Sequence, residues 1–170
     1  MKVLIVVDMQ NDFIDGALGT EEAVKIVPNV KKKIEEYEKN GDGIIFTQDT
    51  HFDFYLVTQE GRKLPIPHCI QGTDGWQIAD ELNKNNHIVV KKHSFGYKYW
   101  LDFNLDIASE IEIIGLCTDI CVISNALILR ASFHQIPIKV DASCCAGTTP
   151  ELHKAALEVM KSCQIDIVGE

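Results

Sequence analysis

The chain has little positive charge, no long apolar run and none of the short motifs that mark nucleotide-binding or metal-ribbon proteins. Sixteen Lys and Arg against 25 Asp and Glu give a net charge of −9 over 170 residues. An acidic chain without a basic stripe is a poor partner for the phosphate backbone of nucleic acid or for an anionic membrane surface. The expected ligand is small and neutral. No stretch approaches the ~18 consecutive apolar residues that would cross a bilayer. After Met1 and Lys2, the run Val3-Leu4-Ile5-Val6-Val7 is too short for the apolar region of a secretory signal, and no small-residue cleavage site follows. It reads as a buried strand of a cytoplasmic protein. None of Cys69, Cys117, Cys121, Cys144, Cys145 and Cys163 forms a Cys-x-x-Cys pair, which argues against zinc ribbons and thioredoxin-type redox sites. Without an export signal the cysteines are expected as reduced thiols. A phosphate-binding loop, a dinucleotide fingerprint and a Gly-x-Ser-x-Gly elbow are also missing, which argues against the commonest nucleotide and serine-hydrolase readings.

Apolar residues make up 46% of the chain and charged residues 24%, enough to build a full core in one domain spanning residues 1–170. Apolar, β-rich runs predict strands at Val3–Val7, Gly43–Thr47, His87–Lys91, Glu112–Gly115, Pro137–Val140 and Asp166–Val168. Helical spacing predicts helices over Pro28–Lys39, Gly75–Asn83, Asp119–Phe133 and Pro150–Ser162, with Gly41 as a stop and Thr149 as an N-cap. Alternation of this kind gives a three-layer α/β/α sandwich with a mainly parallel, five- or six-stranded sheet. Ligands in such folds bind beyond the carboxyl ends of the strands, where strand order reverses. The informative residues are therefore those that directly follow strands.

Asp8 follows the first predicted strand, Asp49 and His51 the second, Lys92 the third and Cys121 the fourth. Cys121 sits where a strand turns into a helix. Free amides and the helix dipole there favour a thiolate and can hold an oxyanion. The plainer alternative is a core cysteine on the helix's inner face. A carboxylate abutting the apolar run before Asp8 can accept a thiol proton, or it caps a turn. Of Lys91 and Lys92, adjacent in a strand, at most one faces a given site. Asp49 and His51 share a face in an extended segment. With His68, stiffened by Pro65 and Pro67, they make a metal-ligand set with open positions. Asp-x-His alone is common by chance. His87, His93, His134 and His153 read as surface or helix residues.

Four ordered segments carry a resemblance. They are Val6-Val7-Asp8-Met9-Gln10-Asn11-Asp12-Phe13, Thr47-Gln48-Asp49-Thr50-His51, Pro67-His68-Cys69-Ile70-Gln71-Gly72-Thr73 and Gly115-Leu116-Cys117-Thr118-Asp119-Ile120-Cys121-Val122. Together they resemble the nicotinamidase and isochorismatase superfamily of cysteine hydrolases, almost end to end, and lie closer to its nicotinamidase (pyrazinamidase) branch. The resemblance implies the isochorismatase-like hydrolase fold and a catalytic triad of Asp8, Lys92 and Cys121. Lys92 is preferred to Lys91 because an aromatic, Phe95, follows it three positions on. It further implies a non-proline cis peptide at Leu116–Cys117, with the backbone N–H groups of Cys117 and Cys121 directed at one oxyanion. Phe13 is implied as the aromatic that stacks on a planar substrate. A divalent metal, zinc first and manganese or iron as alternatives, is implied on Asp49, His51 and His68, holding the substrate's ring nitrogen and ordered waters. The implied activity is hydrolysis of a small amide such as nicotinamide, in NAD salvage. Other family reactions, on carbamoyl, ureide or enol-ether substrates, and a non-catalytic metal-binding role are the alternatives. Pro65 stands where nicotinamidases often have tryptophan, with Trp76, Tyr97, Tyr99 and Trp100 nearby in sequence. Relatives often assemble into homo-oligomers, with Trp100 and Phe54 as candidate interface residues here.

Overall fold

The computed structural model describes residues 1–83, 85 and 87–170. Six strands form one sheet: β1 (Val3–Val7), β2 (Gly43–Asp49), β3 (Ile88–Lys92), β4 (Ile111–Leu116), β5 (Ile138–Ala146) and β6 (Asp166–Val168). They lie in the order β3-β2-β1-β4-β5-β6, and each neighbouring pair is parallel. Every residue of β1 is buried, because β1 is central and both its faces are covered. Val3, Ile5 and Val7 point into one core, Leu4 and Val6 into the other, as the period of two demands. Helix α2 (Glu21–Asn40) covers the second core. Helices α4 (Ile123–Ser132) and α5 (Pro150–Ser162) cover the first. Two shorter helices, α1 (Asn11–Ile14) and α3 (Gln59–Lys63), lie in the connections.

Some sequence expectations shift. α2 begins seven residues before Pro28, at Glu21, where Thr20 caps it by accepting from the Ala23 amide at 3.0 Å. Pro28 therefore lies inside the helix, at a cost of about 3 kcal/mol. The burial of Ala23, Ile26 and Val27 in that extra length offsets it. Gly41 ends the helix in the left-handed region, φ 71°, as expected of glycine there. The helix expected over Gly75–Asn83 does not form. Its backbone instead pairs across to the segment after β1: Asn11 N–H donates to Gln77, Asp12 N–H to Gly75 and Ala79 N–H to Met9, each at 3.0 Å. Strand β5 runs on to Ala146 across a register shift opposite Ile113 and Gly115. Trp100 is 0% exposed, its indole N–H donating to Asn125, so it is a core residue and not an interface one. Phe54 is exposed.

Beneath α2, a small charged cluster ties helix to sheet. Lys33 Nζ lies 2.9 Å from both Glu112 and Asp141, and Tyr37 Oη donates to Glu112 at 2.6 Å. Both acids are buried. Burial raises the Asp141 pKa, but Lys33 and Ser143 outweigh it and hold the carboxyl below its ordinary value. Stability from a depressed acid is present above its unfolded pKa and is lost as pH falls through the folded one. Lys33→Met keeps the apolar stem and strands two buried carboxylates. We expect a loss of about 2 kcal/mol at pH 7 in urea unfolding. That loss should shrink from about pH 5 toward pH 3 as Asp141 protonates. An equal loss at every pH would contradict this account.

Candidate active site

Strand order reverses between β1 and β4, the crevice-forming point of an open parallel sheet. Asp8 leaves β1 there, and Cys121 lies in the turn after β4. Val7 pairs with Gly115. A Cβ at Gly115 would run into the Val7 backbone, and its φ of 118° is open to glycine. This close approach sets Asp8 beside the turn that carries Cys121. Asp8 itself has φ 46°, a left-handed conformation that Asp tolerates. On the other side of β1, Asp49 and Lys92 are register partners at the ends of β2 and β3.

Lys92 Nζ is the meeting point. It lies 2.7 Å from Asp8 Oδ2, 3.0 Å from Asp49 Oδ1, 3.1 Å from the Ser94 carbonyl and 3.5 Å from Cys121 Sγ. Asp8, Lys92 and Cys121 are 0%, 2% and 5% exposed. Asp8 Oδ1 accepts from the Thr47 hydroxyl at 2.7 Å, whereas Oδ2 faces the ammonium without a directed hydrogen bond. Lys91 points the opposite way, 4.9 Å over the Trp76 ring. The choice between the two lysines is thus one of strand parity.

Burial dominates the electrostatics. It raises the Asp8 pKa above its ordinary value, against Lys92, which lowers it. Burial also pushes the Cys121 thiol well up, and Lys92 recovers part of the shift. The helix-terminus expectation of a lowered thiol pKa therefore fails. The residues around Cys121 form a π-turn, Thr118–Val122, rather than the first turn of an α-helix. Burial thus favours the protonated form of Cys121. Lys92 is driven well above its usual pKa: burial opposes this, but Asp8, Cys121 and Asp49 outweigh it, so it stays charged.

Asp49 joins this group to a second one. Its other oxygen, Oδ2, lies 2.9 Å from His51 Nε2 and 3.8 Å from His68 Nε2. Glu60 Oε1 lies 3.5 and 3.7 Å from the same two nitrogens. One ligand atom from each of Asp49, His51, Glu60 and His68 fits within 4.8 Å of the others. Two imidazoles and two carboxylates suit a divalent ion of the zinc, manganese or iron type. His68 Nδ1 lies 2.8 Å from the Ile66 carbonyl, which assigns the proton to Nδ1 and leaves Nε2 as the donor. Asp49 keeps its pKa at about 2: burial raises it, but Lys92 and His51 outweigh burial.

The segment after β1 builds both groups. The Gln10 amide pairs with the Asp49 backbone, donating to its carbonyl at 2.9 Å and accepting from its N–H at 2.7 Å. Asp12 accepts from the Cys69 amide at 2.7 Å, anchoring the His68 loop. Asn125, one turn beyond Cys121, donates to the Cys121 carbonyl at 2.8 Å. Sequence reading missed Glu60, Gln10 and Asn125. The one signal for Glu60 was an acid in the first turn of a short helix capped by Thr58.

A cleft of about 710 Å³ opens onto the second group through His51 and Glu60, and its wall reaches the chain neighbours of the first group, Ser94 and Ile120, rather than Asp8, Lys92 or Cys121 themselves. Phe52, Phe54 and Phe95 also line it. His93, exposed as expected, also lines it. Phe13 is not on this wall. It is buried, with its ring 5.5 Å from that of His68. Trp76 lies outside too, donating to Thr50 at 3.0 Å. The peptide Leu116–Cys117 is cis, as the resemblance implied.

The chain is similar to pyrazinamidase of Pyrococcus horikoshii, solved in complex with zinc: 30% identity, TM-score 0.86, with 99% of each chain covered. Nicotinamidase from Bacillus subtilis is 28% identical with TM-score 0.84, over 98% of each chain. N-carbamoylsarcosine amidase from Thermoplasma acidophilum is also 28% identical, with TM-score 0.81, over 98% of this chain and 95% of that one. The isochorismatase domain matches residues 2–169, and with that match the chain belongs to the isochorismatase family of hydrolases, close to its nicotinamidases and pyrazinamidases.

Proposed function

We propose that this protein hydrolyses a small carboxamide such as nicotinamide to the acid and ammonia, through a thioester on Cys121. The observation that carries the reading is the buried contact of one ammonium, Lys92, with both Asp8 and the Cys121 sulfur, at 2.7 and 3.5 Å. Asp8 takes the thiol proton, and the sulfur attacks the amide carbon. Its raised pKa brings a carboxylate closer to the thiol it must deprotonate. The transfer moves negative charge from one neighbour of Lys92 to another. An ammonium 3.5 Å away holds a thiolate by roughly 4–5 kcal/mol at an effective dielectric of about 20.

The Cys117 and Cys121 amides hold the oxyanion. Asp8 returns its proton to the departing ammonia, then activates water to release the acid. Asp49, His51 and His68, with Glu60, would hold a divalent ion, zinc first, whose chemistry is electrophilic anchoring of a donor atom on the substrate. Phe13 enters this reading through His68, whose ring it packs against. This reading is that of a cytoplasmic protein working in NAD salvage. The likeness to N-carbamoylsarcosine amidase favours a carbamoyl amide as the second reading. Ammonia release across nicotinamide, pyrazinamide and carbamoyl amino acids separates the two.

Cys121→Ala should abolish turnover, by at least about 10⁴-fold, with an unchanged circular dichroism spectrum. Retained turnover would remove the nucleophile from the account. Because the Asp8 pKa is raised, kcat/KM should fall on acidification with a midpoint above about pH 4, the ordinary carboxylate value. The base is lost below that midpoint and present above it. An acid limb at or below the ordinary value would place proton transfer elsewhere. Metal analysis should find about one divalent ion per chain. His51→Ala with His68→Ala should lose it, and ammonia release should drop by about tenfold or more. A double variant that kept its ion would relocate the site.

A further inference from the structure

The nucleophile turn is tied to helix α5 by two side-chain contacts that the reaction as described does not use. Thr118, fully buried, places its hydroxyl 2.7 Å from His153 Nδ1. Asp119 accepts from Thr148 twice, from the backbone N–H at 2.8 Å and from the hydroxyl at 2.6 Å. Thr148 precedes Thr149, which caps α5 by accepting from the Leu152 amide at 3.2 Å. Gly147 completes the joint. A Cβ there would lie 2.9 Å from an Asp119 carboxylate oxygen and 2.9 Å from the His153 Cα and Cβ. Any side chain would wedge turn and helix apart. Burial lowers the His153 pKa, which favours the neutral ring, and the Thr118–His153 hydrogen bond forms with either of its tautomers.

Both anchored residues lie between Cys117 and Cys121, the two positions whose amides hold the oxyanion in the reading above. Main-chain donors need placing to a few tenths of an ångström, and the π-turn's own backbone bonds, such as Val122 N–H to the Cys117 carbonyl at 3.0 Å, hold its internal shape but do not tie it to α5. We infer that His153 and the Asp119–Thr148 pair are positioning residues that fix the oxyanion-binding amides from the far side of the turn. This rests on the cysteine-amidase reading. Among the described residues, neither group hydrogen-bonds to Cys121.

Two chemistries at the same sulfur provide the test. Amide hydrolysis passes through an oxyanion, whereas alkylation by iodoacetamide is a displacement at carbon that forms none. His153→Leu and Asp119→Ala should each lower kcat for nicotinamide by about tenfold or more, with KM changed little. The second-order rate of Cys121 alkylation should stay within about twofold of the parent. His153→Asn, whose amide can reach the position of Nδ1, should restore most of kcat. Thr148→Val, at an exposed site, provides the measurement if a stronger variant fails to fold. A parallel fall in hydrolysis and alkylation would mean that the contacts serve the thiol or the fold, and would overturn the proposal. So would unchanged kcat in His153→Leu and Asp119→Ala. Failure of the amidase reading is distinguishable, because the parent protein itself would then release no ammonia from any amide.

Discussion

One buried ammonium organises this site. Lys92 lies within 3.5 Å of a carboxylate from β1, a carboxylate from β2 and the sulfur that follows β4. None of these groups would tolerate that depth alone. A buried carboxylate without a cation costs several kcal/mol, and removing one partner of a buried pair is among the more destabilising single changes known. The lysine is held in turn: its stem runs through the core, and its last free direction is taken by the Ser94 carbonyl. The reactive geometry follows from satisfying one cation in a dry place.

The fold delivers the partners by parity and register. Parallel strands bring their carboxyl ends to one rim, and order β3-β2-β1-β4 places the four relevant ends side by side. Asp49 opposite Lys92, and Gly115 opposite Val7, are register facts. A slip of one residue in β3 would turn Lys91 inward and Lys92 out. The outward lysine already has a role on the surface, over Trp76, so each of the two lysines is committed to its face.

Much of this could be read from the chain. The apolar run before Asp8 announced a central strand, and the position of reactive residues just after strands announced the rim. What could not be read depended on tertiary packing. Pro28 looked like a helix start because local rules put proline there, but buried contacts upstream extended the helix through it. The stretch Gly75–Asn83 has helical spacing, yet its backbone partners are the residues after β1. Gln10 carries no local signature, since it acts on Asp49, far away in sequence, and Glu60 offers only an acid in the first turn of a short helix. The thiol pKa was misjudged for a related reason. Sequence shows a turn entering a helix but not the burial that outweighs the turn's field.

Asp49 makes the two halves of the site one electrostatic unit. It gives one oxygen to Lys92 and turns the other toward His51. Counted together, Asp8, Asp49 and Glu60 bring three carboxylates against one ammonium in a largely buried space. That leaves an excess of negative charge, which burial penalises. The excess lies on the side where His51, His68 and Glu60 converge, so charge balance and ligand chemistry point to the same place for a cation. Protonation of His51 can supply part of the balance: burial opposes it, but Asp49 and Glu60 outweigh burial and raise its pKa. A dication held there supplies more. It would also leave Lys92 less committed to Asp49 and, in the proposed reaction, freer to follow the charge as it passes from Asp8 to the sulfur. The metal-ligand set and the Asp8–Lys92–Cys121 group are, on this argument, two terms of one charge balance.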